Sequence, residues 1–197
     1  LLDNEVLINM LLSQLTSIHS GYSLRNAILP DNKTPNVALV QPAHILAQNL
    51  PTLPTLYVKL AKNITILKEG DVLLTNRVHF KAITFHAESN TDTLASAGIW
   101  ILRPTVAHID STFLAFWLNS AQGQQALKGV VSKFATLHSI RKEDLANLSL
   151  PDVSLTQQKE LSNLYECCIK QNALQQQRFK LQLQLLDALM AQHTGVL

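Results

Sequence analysis

The sequence has 197 residues, of which 15% are charged and 47% are hydrophobic, with a formal net charge of +2. This composition excludes a disordered chain, and the length favours one globular domain over two. A net charge this small neither requires nor excludes a nucleic-acid partner, because phosphate contacts depend on how cations cluster rather than on their sum.

The N-terminal third contains short predicted elements separated by turns. Apolar residues recur at helical spacing over residues 6–15, which predicts a short amphipathic helix, and the alternation that follows predicts a strand ending at Ser20. The next turn would present Tyr22 and Arg25 at the edge of the domain. Residues 37–40 are continuously apolar and predict a buried strand.

The middle of the chain predicts a β-hairpin. Lys68, Glu69, Gly70 and Asp71 have turn chemistry and lead into a strand over residues 72–75. Residues 76–81 are polar and basic, and the apolar pattern resumes over residues 82–85. We interpret Asp71 as a turn residue that bonds its own backbone rather than as a catalytic acid.

Strands and helices alternate in the next part of the chain. A strand is predicted over residues 98–103, and Asp110 or Ser111 is the predicted N-cap of a core helix. A second helix is predicted over residues 122–131. Residues 136–140 predict a strand, residues 141–145 one helical turn, and residues 147–151 a final strand.

Residues 155–192 contain neither Gly nor Pro, which predicts one long α-helix. Ser154 and Gln157 have the spacing of a capping box, and Gly195 marks the end of the helix. Such a helix would be roughly 57 Å long. This exceeds the width of an ordinary domain, so part of the helix should project.

Alternating steps of four and three from Leu161 trace a coiled-coil seam with a polar middle along this helix. Additional leucines in the C-terminal half widen the apolar face beyond what one partner helix covers. The helix therefore predicts homodimerisation, with a helix folded back on its own domain as the alternative. The candidate dimer contacts are Leu161, Tyr165, Cys168, Phe179, Leu186 and Leu189.

Motifs for catalysis, metals and membranes are absent from the sequence. Its seven histidines are scattered, and there is no Cys pair at metal spacing, no Gly-rich phosphate loop and no nucleophile elbow. We expect no metal site, no cofactor and no catalytic residue. Adjacent Cys167 and Cys168 cannot form a disulfide framework, which favours a reducing, cytoplasmic compartment. Neither a signal peptide nor a membrane span is predicted.

Five stretches occur in an order that is specific when taken together. Residues 18–25 read Ile-His-Ser-Gly-Tyr-Ser-Leu-Arg, residues 67–75 Leu-Lys-Glu-Gly-Asp-Val-Leu-Leu-Thr, residues 113–120 Phe-Leu-Ala-Phe-Trp-Leu-Asn-Ser, residues 140–151 Ile-Arg-Lys-Glu-Asp-Leu-Ala-Asn-Leu-Ser-Leu-Pro, and residues 155–158 Leu-Thr-Gln-Gln. This order resembles the DNA-specificity (S) subunits of type I restriction-modification systems over nearly the whole chain. The sequence departs from the family pattern at residues 133–136, where a Gly-Ser or Gly-Thr turn is common, and at residues 153–154, where Pro-Pro is common.

The resemblance implies an α+β fold with a target-recognition domain over residues 1–150 and a dimerisation or spacer helix over residues 151–197. It also implies a non-catalytic subunit that binds double-stranded DNA and positions a methyltransferase subunit and a restriction or translocase subunit, which would hold S-adenosylmethionine and ATP. A full S subunit has two such domains and two helices, so this chain looks like half of one. The alternative is a protein-interaction scaffold without DNA binding.

DNA recognition needs polar side chains that reach base edges and cations that hold phosphates. Asn76 and Arg77 are favoured candidates, because a loop between two apolar strands has little structural need for both. For Arg25, Lys128 and Arg141 a solvated surface role is the alternative. The candidate DNA contacts are Tyr22, Arg25, Asn76, Arg77, His79, Lys81, Lys133, His138 and Arg141.

Overall fold

The computed structural model describes residues 9–23, 36–47, 53–58, 64–87, 91–131 and 139–194. Within these ranges the chain forms the predicted α+β domain followed by a long C-terminal helix. The elements in chain order are β1 (Asn9–Leu11), α1 (Leu12–Leu15), β2 (Thr16–Ser20), β3 (Val37–Val40), α2 (Pro42–Leu46), β4 (Thr55–Leu56), β5 (Val72–Thr75), β6 (Ala82–Thr84), β7 (Asp92–Ala95), β8 (Ile99–Pro104), α3 (Ser111–Asn119), α4 (Ala121–Val130), α5 (Lys142–Ala146), β9 (Ser149–Pro151) and α6 (Leu155–Thr194).

A four-stranded antiparallel sheet with the order β2-β8-β5-β6 forms the middle of the domain. Both of its faces are covered. Val72 and Leu102 belong to a core cluster shared with α1, α3, α4 and α5, whereas Leu73 and Ile101 belong to a cluster shared with α2, β3 and β7. Burial on both sides explains why β5 is continuously apolar instead of alternating.

A three-stranded sheet with the order β4-β3-β7 lies beyond the second face. In it β3 and β7 are parallel, and all four residues of β3 are buried, as the apolar run predicted. Val37, Leu39, Val58 and Leu94 form its own small core cluster. The domain therefore has three layers, with the central sheet between the helices and the second sheet.

The turn before β5 is held by a buried ion pair. Asp71 is 1% exposed, and its carboxylate accepts hydrogen bonds from Arg103 Nε at 2.8 Å and Arg103 Nη2 at 2.7 Å. The backbone N–H of Lys68 also donates to Asp71 at 2.8 Å, which confirms the interpretation of Asp71 as a turn residue. The hydrogen bonds to Asp71 raise the pKa of Arg103. Because both charges are satisfied, the pair fixes the turn onto β8.

The predicted amphipathic helix over residues 6–15 is confirmed only in part, and residues 6–8 lie outside the described residues. Only Leu12–Leu15 is helical, whereas Asn9–Leu11 is a strand that pairs with β9. Leu12 and Leu15 are both buried, so the apolar spacing is real but serves one helical turn. The β9 strand immediately before α6 supplies the backbone partners that a longer helix would have found within itself.

Other predicted elements are confirmed. The hairpin of β5 and β6, the strand that ends at Pro104, the two helices α3 and α4, and the short helix α5 all form. Asp110 is the N-cap of α3, since its side chain accepts a hydrogen bond from Phe113 N at 2.8 Å. Most of the predicted strand over residues 136–140 lies outside the described residues.

The α6 helix has 40 residues and is therefore about 60 Å long. Half of the predicted capping box forms at its start, where Gln157 N donates to Ser154 Oγ at 3.4 Å. Gln157 Oε1 accepts from the Ser154 hydroxyl at 2.8 Å, in place of the Ser154 backbone N–H that a full capping box would use. Every side chain from residue 170 to residue 190 is exposed. The C-terminal half of the helix therefore projects from the domain, as its length predicted.

Candidate functional site

Four loops meet at one end of the central sheet. They are residues 20–23 at and after the end of β2, residues 75–81 from the end of β5 to the start of β6, residues 95–98 from the end of β7 to the start of β8, and residues 139–141 before α5. We call these residues the loop cluster. Every predicted DNA contact that lies within the described part of the chain belongs to it: Tyr22, Asn76, Arg77, His79, Lys81 and Arg141.

Backbone hydrogen bonds join the loop cluster. Tyr22 N donates to Ala95 O at 2.6 Å, and Asn76 N donates to Gly98 O at 3.0 Å. Ile140 N donates in turn to Asn76 O at 3.2 Å. These three bonds run between backbone atoms, so they do not depend on the exposed side chains that the loops carry.

Gly21 is required by the close approach of two loops. A Cβ atom at this position would lie 1.9 Å from the carbonyl oxygen of Ser96. No side chain fits there, so only glycine lets the backbone of Tyr22 reach the 95–98 turn. The Tyr22 side chain is half-buried and packs against the small core cluster that contains Leu39 and Leu94.

Asn76 is buried inside the loop cluster, where it links two loops, and is not a surface residue. It is 8% exposed, and its Nδ2 donates to Ala97 O at 3.2 Å. Its Oδ1 is buried and has no hydrogen-bond partner among the described residues. The prediction that Asn76 contacts DNA is therefore not supported by its placement, and we remove it from the candidate contacts.

Arg77, His79 and Lys81 are displayed by the connection between β5 and β6. Arg77 and His79 are exposed, and Lys81 is half-buried. Arg77 pairs with Ser139 in an isolated antiparallel bridge, which brings the connection next to residues 139–141. Within the described residues neither Arg77 nor Lys81 forms an ion pair. Their charges are therefore available to a ligand at this surface.

The connection between β5 and β6 is closed by Thr75. Its hydroxyl accepts a hydrogen bond from Lys81 N at 2.9 Å and donates one to His79 O. The backbone N–H of Thr75 also donates to Lys81 O at 3.0 Å. Thr75 is 2% exposed, so these bonds are protected from water. The displayed side chains therefore stand on a rigid base.

Arg141 is exposed, but its guanidinium forms an ion pair with Asp144. Its Nε lies 2.7 Å from Asp144 Oδ2, and its Nη2 lies 3.1 Å from Asp144 Oδ1. The hydrogen bonds from Arg141 lower the pKa of the Asp144 carboxyl, and the same contact raises the pKa of Arg141. A phosphate at Arg141 would compete with Asp144. The remaining candidates, Arg25, Lys133 and His138, lie outside the described residues.

The base of α6 packs on its own domain, through contacts that the sequence did not indicate. Gln158 is 2% exposed and donates hydrogen bonds from Nε2 to His108 O at 2.9 Å and to Val153 O at 2.7 Å. The Tyr165 ring centroid lies 5.0 Å from that of Phe116, and the Tyr165 hydroxyl accepts a hydrogen bond from Asn119 Nδ2 at 3.3 Å.

These contacts change the interpretation of the predicted dimer seam at Tyr165. Tyr165 is half-buried against α3 and serves the domain instead of a partner helix. Leu161 and Cys168 lie on the same stretch and are exposed. Farther along α6, Phe179, Leu186 and Leu189 are 62%, 57% and 42% exposed and remain candidate dimer contacts.

A groove of 410 Å³ lies between β6, α3 and the base of α6. Its walls include Ile83, Ala115, Tyr165 and Ile169, together with Glu166, which forms an ion pair with Lys170 on the next turn. Among the residues that the structure describes, no group of three or more His, Cys, Asp or Glu side chains could hold a metal ion. No described helix combines the length and the apolar character that a membrane span requires.

Comparison with known proteins defines the fold class. No family model matches the sequence, and no curated protein does. Solved structures do match, and they share one architecture: this α+β domain joined to this long helix is the fold of type I restriction-modification S subunits. The likeness confirms the resemblance that the order of the sequence stretches indicated.

Three structures illustrate the match, each over 85% of this chain. The HsdS subunit from Thermoanaerobacter tengcongensis matches with a TM-score of 0.58 at 19% identity. The type I restriction-modification S subunit from M. genitalium matches with a TM-score of 0.53 at 14% identity. A structure that describes complex assembly and conformational transition of the type I R-M system matches with a TM-score of 0.56 at 20% identity. The chain spans only 38% to 40% of the length of these proteins.

Proposed function

We propose that this chain is a non-catalytic DNA-recognition subunit of a type I restriction-modification system. In this proposal residues 1–150 are the target-recognition domain, and residues 151–197 form a helix that sets the spacing to a second domain. The observation that carries the proposal is the loop cluster, which displays Arg77, His79 and Lys81 together on a rigid hairpin. Fixed side chains of this kind suit the recognition of base edges and phosphates.

The proposed partners supply the chemistry. A methyltransferase subunit would hold S-adenosylmethionine and a restriction or translocase subunit would hold ATP, in a cytoplasmic complex assembled on DNA. One matched structure is described as a complex assembly of the type I R-M system, which supports the presence of partner subunits. The exposed apolar side chains of α6 support pairing with a second long helix. Two copies related by a two-fold axis would read inverted copies of one short sequence.

A protein-interaction scaffold is the second candidate function. The exposed apolar face of α6 supports a scaffold as well as it supports a DNA-recognition subunit. The two differ in DNA binding. Fluorescence anisotropy with a labelled duplex pool should show binding at low salt that weakens linearly on a log-log plot as salt rises, with a slope of about 0.9 per phosphate contact. Absence of binding at low salt, for a protein that is folded by circular dichroism, would leave the scaffold as the better proposal.

A further inference from the structure

Val78 occupies an unusual place at the tip of the β5–β6 connection. It is 58% exposed and has a φ of 59°. Among the described residues it is the only one other than glycine with a positive φ. Left-handed backbone is unfavourable for any residue with a Cβ and most of all for a β-branched one.

The backbone around Val78 holds it in this conformation. His79 N donates to Arg77 O at 2.7 Å across Val78, which closes a three-residue turn of a rare and strained kind. The residues beyond the tip are buried on both sides, with Asn76 bonded to the 95–98 turn and Phe80 in the main core cluster. The surroundings therefore impose the strain on this position.

Valine serves no visible purpose for the fold at this position. Its side chain is mostly in water, so it contributes little burial, and glycine or asparagine would adopt the same backbone with less strain. Strained residues of this kind concentrate at sites of function. The exposed side chains of Arg77 and His79 flank Val78 on the same turn. An aliphatic group between two polar, basic side chains suits a binding partner whose surface is anionic and carries small apolar groups.

We propose that Val78 is a specificity-determining residue that contacts the C5-methyl group of a thymine in the major groove. The inference rests on the proposed function. A two-stranded ribbon fits the major groove, and the thymine methyl is the apolar feature that an aliphatic side chain recognises there. Arg77 beside it would hold a phosphate or a guanine edge and so set the position of Val78.

The test compares the wild-type chain with Val78→Gly, with Val106→Gly as a matched control at an exposed valine outside the loop cluster. Duplexes selected from a random pool by the wild-type protein should contain a required thymine in each half-site. Replacing that thymine by deoxyuridine, which lacks only the methyl group, should weaken wild-type binding by about fourfold. Val78→Gly should bind both duplexes equally, and Val106→Gly should behave as the wild type does.

The outcomes separate this inference from the proposed function. Wild-type protein that binds duplexes in a salt-dependent manner, but tolerates deoxyuridine at every thymine, would overturn the role of Val78 and leave the proposed function standing. Wild-type protein that binds no duplex would overturn both. The deoxyuridine comparison needs no variant, so it can overturn the role of Val78 even if Val78→Gly fails to fold. A melting temperature of Val78→Gly at or above that of the wild type is expected, because glycine relieves the strain.

Discussion

Gln158 on α6 accepts a hydrogen bond through its Oε1 from the backbone N–H of Asp110, at 2.9 Å. Asp110 in turn caps α3, and its Oδ1 accepts a second hydrogen bond from Ser162 Oγ at 2.6 Å. The start of the core helix and the base of the long helix thus share one polar junction. This junction fixes the direction in which α6 leaves the domain.

Replacing Gln158 by Ala should destabilise the fold. The substitution leaves the Asp110 N–H and the carbonyl oxygens of His108 and Val153 without their partner, at a cost of about 1–3 kcal/mol. Urea denaturation followed by circular dichroism measures the change. Gln171→Ala, on the exposed part of the same helix, is the control and should change stability little. Equal effects at both positions would mean that the junction contributes nothing specific.

Replacing Arg103 by Ala should be more severe than any single surface change. It leaves the Asp71 carboxylate buried without its charge partner, which typically costs about 3–5 kcal/mol. Arg141→Ala removes an exposed ion pair of similar geometry and should change the melting temperature only slightly. Thermal melts of both variants make the comparison. A stable Arg103→Ala protein would show that the turn before β5 does not depend on the pair.

Arg77→Ala should weaken DNA binding and leave the melting temperature nearly unchanged, because an exposed loop cation contributes little to folding. If Arg77 contacts one phosphate, the slope of log affinity against log salt should also decrease by about 1. Lys159→Ala removes an exposed cation at the base of α6 and should change neither quantity. A large loss of stability with unchanged affinity would assign Arg77 a structural role instead.

Asp144→Asn should strengthen DNA binding if Arg141 contacts a phosphate. The Asp144 carboxylate accepts hydrogen bonds from the guanidinium of Arg141. Removing the carboxylate charge weakens this ion pair and makes Arg141 available to a DNA phosphate. Anisotropy titrations of Asp144→Asn, Arg141→Ala and the double variant measure the coupling. If Asp144→Asn has the same effect with and without Arg141, the aspartate acts on DNA directly and Arg141 is a solvated surface residue.

Leu186→Asp should shift a dimer of this chain toward monomer, because it places an unpaired charge in an apolar helix interface. Sedimentation velocity over a concentration series that includes tens of micromolar measures the state. Gln184→Asp adds the same charge about 160° away around the helix and should leave the dimer intact. A wild-type chain that stays monomeric throughout would argue that α6 pairs only with a helix of another protein.

The sequence predicts most of this fold, and the features that it does not predict are missed for physical reasons. Turn chemistry and apolar runs identify the β5–β6 hairpin, because those signals are local. The strand Asn9–Leu11 is not identifiable in this way, since its partner β9 lies far along the chain. The same limit hides the pairing of Asp71 with Arg103, 32 residues away.

Side-chain direction limits the prediction of the site. The loop cluster gathers segments that the sequence could mark as polar turns, but nothing in the sequence shows that Asn76 points inward while Arg77 points outward. Tyr165 fails as a dimer contact for a related reason. A heptad position at the base of a projecting helix suits the helix's own domain as well as it suits a partner.

The polar junction at Gln158 fixes the rotation of the domain about the axis of α6. Because the domain is fixed to one end of a continuous helix without Gly or Pro, each residue added to the middle of α6 would turn the loop cluster about the helix axis by about 100° relative to the C-terminal part. Insertions of seven residues nearly restore the original orientation, with a residual rotation of about 20°. Changes in the length of α6 should therefore preserve the direction in which the loop cluster faces only when they come in whole heptads.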